Sequence, residues 1–262
     1  MRRKISLPPA VIPLTLFLTV QLSLSGCGVP AEKQASQAAG TPGVSAAEGD
    51  KSGSKSLVCL RAAEPVEIDG IIETAWRQAR TLRLDDPAEI ADPNRVKIYT
   101  LWDPDYLYVA YYVEDKYLVG FQTERDHKAL YKDDMIEVLI DPRRDATDQW
   151  LEDDIVYHVN ILGRVKDDRG TPEGVSDATW NSLAKFAASY QGTLNDSTDT
   201  DTGFSVELAV PWSEIGKTPA PGVTVGIDFA AGDAEGPEEH LWDWCGAHPF
   251  RQPTVYGVLQ LQ

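Results

Sequence analysis

The sequence predicts an all-β fold, an antiparallel β-sandwich or jelly roll with one or two short helical turns. Three observations carry that expectation. Short apolar runs recur with turn signals between them, the rhythm of folds built from many short strands. Almost no stretch shows the spacing of an amphipathic helix. Where a run can be followed, polar and apolar side chains alternate: Phe204, Val206, Leu208 and Val210 against Ser205, Glu207 and Ala209. That is the period of a strand with one core face.

In chain order, the expected strands begin with Val66-Glu67-Ile68, followed by residues 96–102, 106–113 and 118–121. Trp102-Asp103-Pro104-Asp105-Tyr106 reads as strand, tight turn, strand, with Asp-Pro as the breaker. Residues 135–141 and 156–161 come next, then 186–191, 204–210, 223–230 and 255–261. Helical turns are expected at 72–79, after Asp69-Gly70, and at 212–215, after Pro211. Trp76, Trp102 and Trp212 each stand among apolar residues at an element end and are expected to plug the core.

Two of these strands differ chemically on their two faces. From Met135, the side chains of Ile136, Val138 and Ile140 point one way, and those of Met135, Glu137, Leu139 and Asp141 the other. In the next strand Tyr157, Val159 and Ile161 suit a core, while His158 and Asn160 share the opposite face. If the strands are neighbours, Glu137, His158 and Asn160 converge on one outward surface. A solitary carboxylate mid-strand needs a partner or water, which makes Glu137 a candidate for a site.

The chain opens with Arg2, Arg3 and Lys4, an apolar run over 11–22 and then Leu24-Ser25-Gly26-Cys27, the layout of a secretory signal. The tetrapeptide resembles a bacterial lipobox, which implies cleavage after residue 26 and lipid attachment to Cys27. Gly28 follows instead of the Asp that commonly retains such proteins in an inner membrane, so the expected location is the cell envelope, at the outer membrane. Residues 27–55 are rich in Ala, Gly, Ser, Gln and Pro without apolar periodicity, the composition of a flexible tether between the 1–26 leader and a folded 56–262. The formal charge of -17 becomes more negative once the three basic leader residues are removed. Such acidity argues against nucleic acid as a partner and suits a neutral ligand or bound divalent cations. With Cys27 lipidated, Cys59 and Cys245 remain, and the reading leaves open a disulfide or two buried thiols.

The order of pieces resembles a family 9 carbohydrate-binding module. Val66-Glu67-Ile68-Asp69-Gly70 with Ala75-Trp76, then Leu101-Trp102-Asp103, Leu107-Tyr108-Val109 and Asp134-Met135-Ile136-Glu137-Val138-Leu139-Ile140-Asp141 carry the likeness. So do Tyr157-His158-Val159-Asn160, the segment from Gly203 to Trp212, and Tyr256-Gly257. The resemblance implies a β-sandwich that binds oligosaccharide or polysaccharide without catalysis, sugar ends lying between two aromatic rings while polar groups read the hydroxyls. Carried over by position, the rings are Tyr131 and Phe250, the latter before Arg251, and the polar groups are Glu137, His158 and Asn160. Both rings stand where the family has Trp, and His158 stands where it has Arg. A pyranose offers a C–H face to a ring and a rim of hydroxyls to carboxylates and amides, which is why these residue types recur. Glu152-Asp153-Asp154 resembles an acidic run associated with calcium in this family, so Asp153 and Asp154 are candidate ligands of a structural Ca²⁺. Partners implied by the likeness are glycosidases or transporters of the same pathway, with the membrane reached through Cys27.

Two rival readings follow from the same residues. A hydrolase needs a positioned carboxylate pair, for which Glu137 and Glu207 are the strand-borne candidates, yet no Gly-x-Ser-x-Gly motif is present and no catalytic domain fits, so no enzyme is expected. Related sandwich domains hold haem on Met with His or Lys, and Met135 shares a face with Glu137 near His158. A glycoside-hydrolase accessory role is the remaining alternative.

Overall fold

The computed structural model describes residues 55–87, 93–235, 240–246 and 251–262. The expected leader, and the tether from Cys27 up to residue 54, therefore lie outside the described residues, as does Phe250. Among the described residues thirteen strands follow one another: β1 (Ser56–Arg61), β2 (Thr81–Arg83), β3 (Arg95–Trp102), β4 (Tyr106–Glu114), β5 (Met135–Asp141), β6 (Ile155–Asn160) and β7 (Val165–Gly170). Then come β8 (Ser176–Asp177), β9 (Lys185–Gln191), β10 (Gly203–Pro211), the helix α1 (Trp212–Ile215), β11 (Thr224–Asp233), β12 (His240–Asp243) and β13 (Gly257–Leu261). The 72–79 turn is a 3₁₀ helix over Thr74–Gln78, and α1 falls where Pro211 ends β10.

Hydrogen bonding runs β8-β7-β6-β5-β11-β13-β1-β3-β4-β10-β9, with β12 on β11 and β2 on β3. The two halves of this path are the two layers, and β1 joins them. Ser56 to Cys59 pair with β13, whereas Leu60 and Arg61 pair with β3, so one strand passes from layer to layer. Both pairings are parallel, which corrects the purely antiparallel expectation: a strand shared at the seam runs with both neighbours while all other pairs oppose. Two further expectations fail locally. Val66 to Ile68 and residues 118–121 are irregular backbone: the Glu67, Leu118, Val119 and Phe121 amides donate to side-chain carboxylates and that of Gly120 to the Asn195 side-chain oxygen rather than to a neighbouring strand.

The core between the layers takes Val96, Ile98, Leu107, Val109, Tyr111, Phe204, Val206 and Leu208 from one side and Ile136, Val138, Ile140, Tyr157, Val159, Ile227 and Phe229 from the other. The predicted core faces of β5, β6 and β10 are the observed ones. Each such side chain stabilises by about 1.5–3 kcal/mol when fully buried. Tyr111 crosses the sandwich and its hydroxyl donates to the Glu137 carbonyl at 2.7 Å, so the strand carrying the candidate site is braced from beneath.

The outer face of the second layer is covered by its own chain. Leu101, Tyr108, Ala110 and Ala209 pack under Trp76, with Val66, Ile68 and Ile72 around them. All three predicted core tryptophans are buried, and each pins backbone or carboxylate through its indole N–H: Trp76 to Glu207 at 2.7 Å, Trp102 to the Gln262 carbonyl at 2.9 Å and Trp212 to the Asp103 carbonyl at 2.9 Å. Asp103 makes the predicted tight turn, accepting from the Asp105 and Tyr106 amides and from the Tyr108 hydroxyl.

Candidate functional site

β5 and β6 are adjacent and in register, Glu137 opposite His158 and Met135 opposite Asn160. β7 continues the sheet with Lys166 opposite His158 and Asp168 opposite Val156. The alternation that sends Ile136 and Val138 inward therefore places Glu137, His158 and Lys166 in one row on the outer face. His158 Nδ1 lies 2.7 Å from Glu137 Oε1. A carboxylate only accepts, so Nδ1 carries the proton and donates, which fixes the ring's orientation. His158 Nε2 is buried and has no hydrogen-bond partner.

The surface around this pair is not the open, solvated patch the alternation suggests. Every residue of β5 is buried, Glu137 being 4 % exposed. The cover is Trp150, from the β5–β6 connection, and Tyr256, just ahead of β13, which pack on Leu139 and Val156 in a small apolar cluster. Arg251 lies over Trp150, its guanidinium 4.4 Å from the ring centroid, and donates to Asp168. Lys166 Nζ donates to the same carboxylate at 2.6 Å. Burial would raise the Asp168 pKa, but Lys166 and Arg251 together hold it below the usual carboxylate range.

Asn160 does not join Glu137 and His158. It is fully buried, its amide donating to the Gln122 carbonyl (2.9 Å) and Asp133 Oδ2 (2.8 Å) and its oxygen accepting from the Arg164 amide (2.7 Å). It stands two residues beyond His158 along β6, and its partners come from the β4–β5 connection (Gln122, Asp133) and the β6–β7 turn (Arg164). Asp133 is the centre of that node, accepting also from the Phe121 and Gln122 amides. Tyr131 sits in the 3₁₀ turn Leu130–Lys132 immediately before this node and is 45 % exposed, which leaves ring surface free.

The remaining sequence expectations resolve by geometry. Glu207 lies on β10 of the other layer, fully buried, accepting from Trp76 Nε1 and from the Gly70 and Asp69 amides, so it anchors the 62–79 cover and does not face Glu137. Met135 is 2 % exposed and packs against Gly232, while His158 Nδ1 is taken by Glu137. Cys59 and Cys245 are free thiols, so the disulfide left open above is not formed. Cys245 Sγ instead contacts the Ile227 carbonyl and the Gly257 amide. Asp153 and Asp154 meet a third carboxylate, Asp141 at the end of β5, with ligand oxygens within 4.8 Å of one another. Asp154 Oδ1 is buried without a hydrogen bond, and burial pushes this carboxyl up to about 8. Trp150 and Asp168 were not singled out from the sequence. Only Trp150, a lone large ring directly after the polar stretch 142–149, left a visible signal there.

Comparison with known proteins gives consistent answers. Residues 68–262 match the family model "Carbohydrate family 9 binding domain-like". Endo-1,4-beta-xylanase A of Thermotoga maritima is 26% identical over 200 residues, 74% of this chain but 17% of that protein. Exoglucanase XynX of Acetivibrio thermocellus is 27% identical over 198 residues, 16% of its length. The chain thus spans about a sixth of the curated relatives it matches. Among solved structures, a family 9 carbohydrate-binding module from Caldicellulosiruptor kristjanssonii in complex with cellotriose superposes with a TM-score of 0.60 at 20% identity, covering 79% of this chain and 94% of that one. A putative carbohydrate-binding protein from Bacteroides uniformis gives 0.62 at 15% identity, covering 80% and 100%. The match over 68–262, on a chain that folds as a β-sandwich, leads to one conclusion: this chain belongs to the carbohydrate family 9 binding domain-like family, and its folded part is a non-catalytic carbohydrate-binding module.

Proposed function

We propose that the whole chain is a non-catalytic receptor for neutral oligosaccharides, tethered to the cell envelope, and that its sugar site is centred on the Glu137–His158 pair. The observation that carries this is His158 Nε2, a buried nitrogen without a partner beside a carboxylate that holds the ring in place. A buried polar atom left unsatisfied costs about 1–3 kcal/mol, and a sugar hydroxyl supplies the missing bond. Tyr131 offers an exposed ring for the C–H face of a pyranose, and Arg251, stacked on Trp150, closes the opposite side. The cellotriose complex of the Caldicellulosiruptor module makes cello-oligosaccharides the first ligands to try.

The test is calorimetric titration of the purified chain with cellotriose and glucose. Glu137→Gln, which keeps shape and removes charge, is expected to weaken binding roughly 10- to 150-fold, the worth of a charge-assisted hydrogen bond, with an unchanged circular dichroism spectrum. Affinity equal to that of the unmodified chain would remove Glu137 from the site.

The rest of the proposal concerns placement and support. Cys27 bears the lipid and the 27–55 segment spaces the module from an outer membrane, where it captures glycans for glycosidases or transporters of the same pathway. Asp141, Asp153 and Asp154 hold a structural Ca²⁺. Their fit rests on an all-carboxylate, hard-oxygen donor set and on the orphaned Asp154 Oδ1.

A further inference from the structure

The cover over the second layer shields only part of its outer face. Beyond Ile71 and Ile72 the sheet side chains Lys97, Tyr99, Tyr112, Ser189 and Ser205 are half-buried. Strand register sets Ser189 opposite Ser205, Ser205 opposite Tyr112 and Tyr112 opposite Lys97, one row across β9, β10, β4 and β3. The neighbouring Ile98, Val113, Phe204 and Val206 turn into the core, so alternation turns this row outward. Gln191 and Tyr99 each stand two residues from a member of the row and share its face.

A cavity of about 340 Å³ lies over the row, walled by Gly70, Ile71 and Ile72. It shares Tyr112 with a cavity of about 460 Å³ at Arg95 and Glu114, and shares Ile72 and Tyr99 with one of about 420 Å³ at Arg77 and Thr81. The result is a groove that continues past its centre at both ends. Its wall is fixed: the Gly70 amide donates to Glu207 Oε2 at 2.8 Å and the Gly70 carbonyl accepts from the Ser205 hydroxyl, so Ile71, 59 % exposed, is held at the rim. The lining is uncharged in sum. Lys97 Nζ donates to Glu114 at 2.8 Å and lies 5.3 Å from the Tyr112 ring centroid, so its charge is already balanced. Among the described residues no hydrogen bond engages the side chains of Ser189 and Gln191 or the hydroxyls of Tyr99 and Tyr112.

We propose that this groove is a second glycan-binding site, taking the interior of a neutral polysaccharide chain. Neutral hydroxyl and amide groups interleaved with rings and an aliphatic rim match the hydroxyl edges and C–H faces of linked pyranoses, whereas a charged polymer finds no unbalanced partner. A groove open at both ends accepts a chain without requiring an end. The Glu137–His158 pair lies on the outer face of the other layer, so the two sites face away from each other and engage two chains or two stretches of one, which adds avidity on a polymer. The inference goes beyond the Glu137–His158 reading and uses none of its residues.

The experiment is affinity electrophoresis of the full chain carrying Glu137→Gln, in gels containing hydroxyethylcellulose, xylan or galactomannan, with carboxymethylcellulose as the charged control. Retardation by at least one neutral polymer is expected to persist, and adding Tyr112→Ala is expected to weaken it about fivefold or more, the worth of one ring contact. Ile71→Asp, which changes an exposed side chain at the rim, is expected to weaken it likewise and serves should the Tyr112→Ala chain fail to fold. No retardation by any neutral polymer, retardation that neither variant weakens, or stronger retardation by carboxymethylcellulose than by hydroxyethylcellulose overturns the groove. Calorimetry with cellotriose on the unmodified chain and on Glu137→Gln reads the other site: equal affinities there, with Tyr112-dependent retardation intact, would remove Glu137 from sugar binding and leave the groove standing.

Discussion

Glu137 is nearly buried in the middle of a strand and donates nothing, so its role depends on what donates to it. Here that is His158, and the pair leaves a single nitrogen, Nε2, buried without a hydrogen-bond partner. Tyr131→Ala is accordingly expected to lower affinity for cellotriose while leaving the melting temperature within a degree or two, since an exposed ring contributes little to folding. A larger loss of stability than of binding would mean the ring is structural. Asp228 gives a separate, pH-dependent prediction. Burial, and then the charge of Asp243, raise its carboxyl from 3.8 to about 7. A carboxyl raised in this way binds more protons folded than unfolded, so its contribution to stability falls as pH rises from about 4 to about 7 and is constant above. Asp228→Asn keeps the Oδ1 acceptor for the Phe229 and Cys245 amides and cannot titrate. Thermal melts at pH 5 and pH 8 should therefore show the unmodified chain losing ground to the variant at the higher pH. Parallel melting curves would contradict this.

At the scale of elements, the cover over the second layer hangs on one carboxylate. Glu207 accepts from Trp76, Asp69 and Gly70, and Gly70 adopts φ +89° where a Cβ would lie 2.6 Å from the Ala188 carbonyl carbon. Glu207→Ala leaves three donors unpaired, one an indole, and is expected to cost about 3 kcal/mol or more in urea unfolding. A cost below 1 kcal/mol would show that water replaces the carboxylate readily. The first-layer cover is different in kind, Trp150 and Tyr256 meeting Leu139 and Val156 by apolar contact while Arg251 bridges to Asp168. The strands beneath both covers were legible from alternation: β5, β6 and β10 begin and end within a residue or so of expectation, and their core faces are the ones read. β7 was not, because Val165-Lys166-Asp167-Asp168 is too polar to announce a strand, and it forms because β6 offers it a ladder.

For the whole molecule the decisive element is β1, which belongs to both layers. Its pairings with β13 and β3 are the only links along the strand path between the two halves among the described residues. A chain beginning at residue 62 is expected to lose cooperative unfolding and near-ultraviolet circular dichroism, whereas one beginning at 55 keeps both. Native-like melting of the shorter chain would show that the core between the layers suffices by itself. The thiols make no cross-link, so reducing agent should leave the melting temperature unchanged.

By itself the sequence determined the β-sandwich class, the inward faces of its main strands, the outward faces that carry Glu137 and His158, and the resemblance to the family to which the chain belongs. These depend on period-two alternation and on order along the chain, both local properties. The tertiary structure decided which polar groups remain available. It placed Asn160 inside a loop's hydrogen-bond node, brought Asp141 to Asp153 and Asp154, and laid Trp150 over what alternation marks as an outward face. Burial and partnership arise from segments far apart in the chain packing together, and no local pattern encodes that.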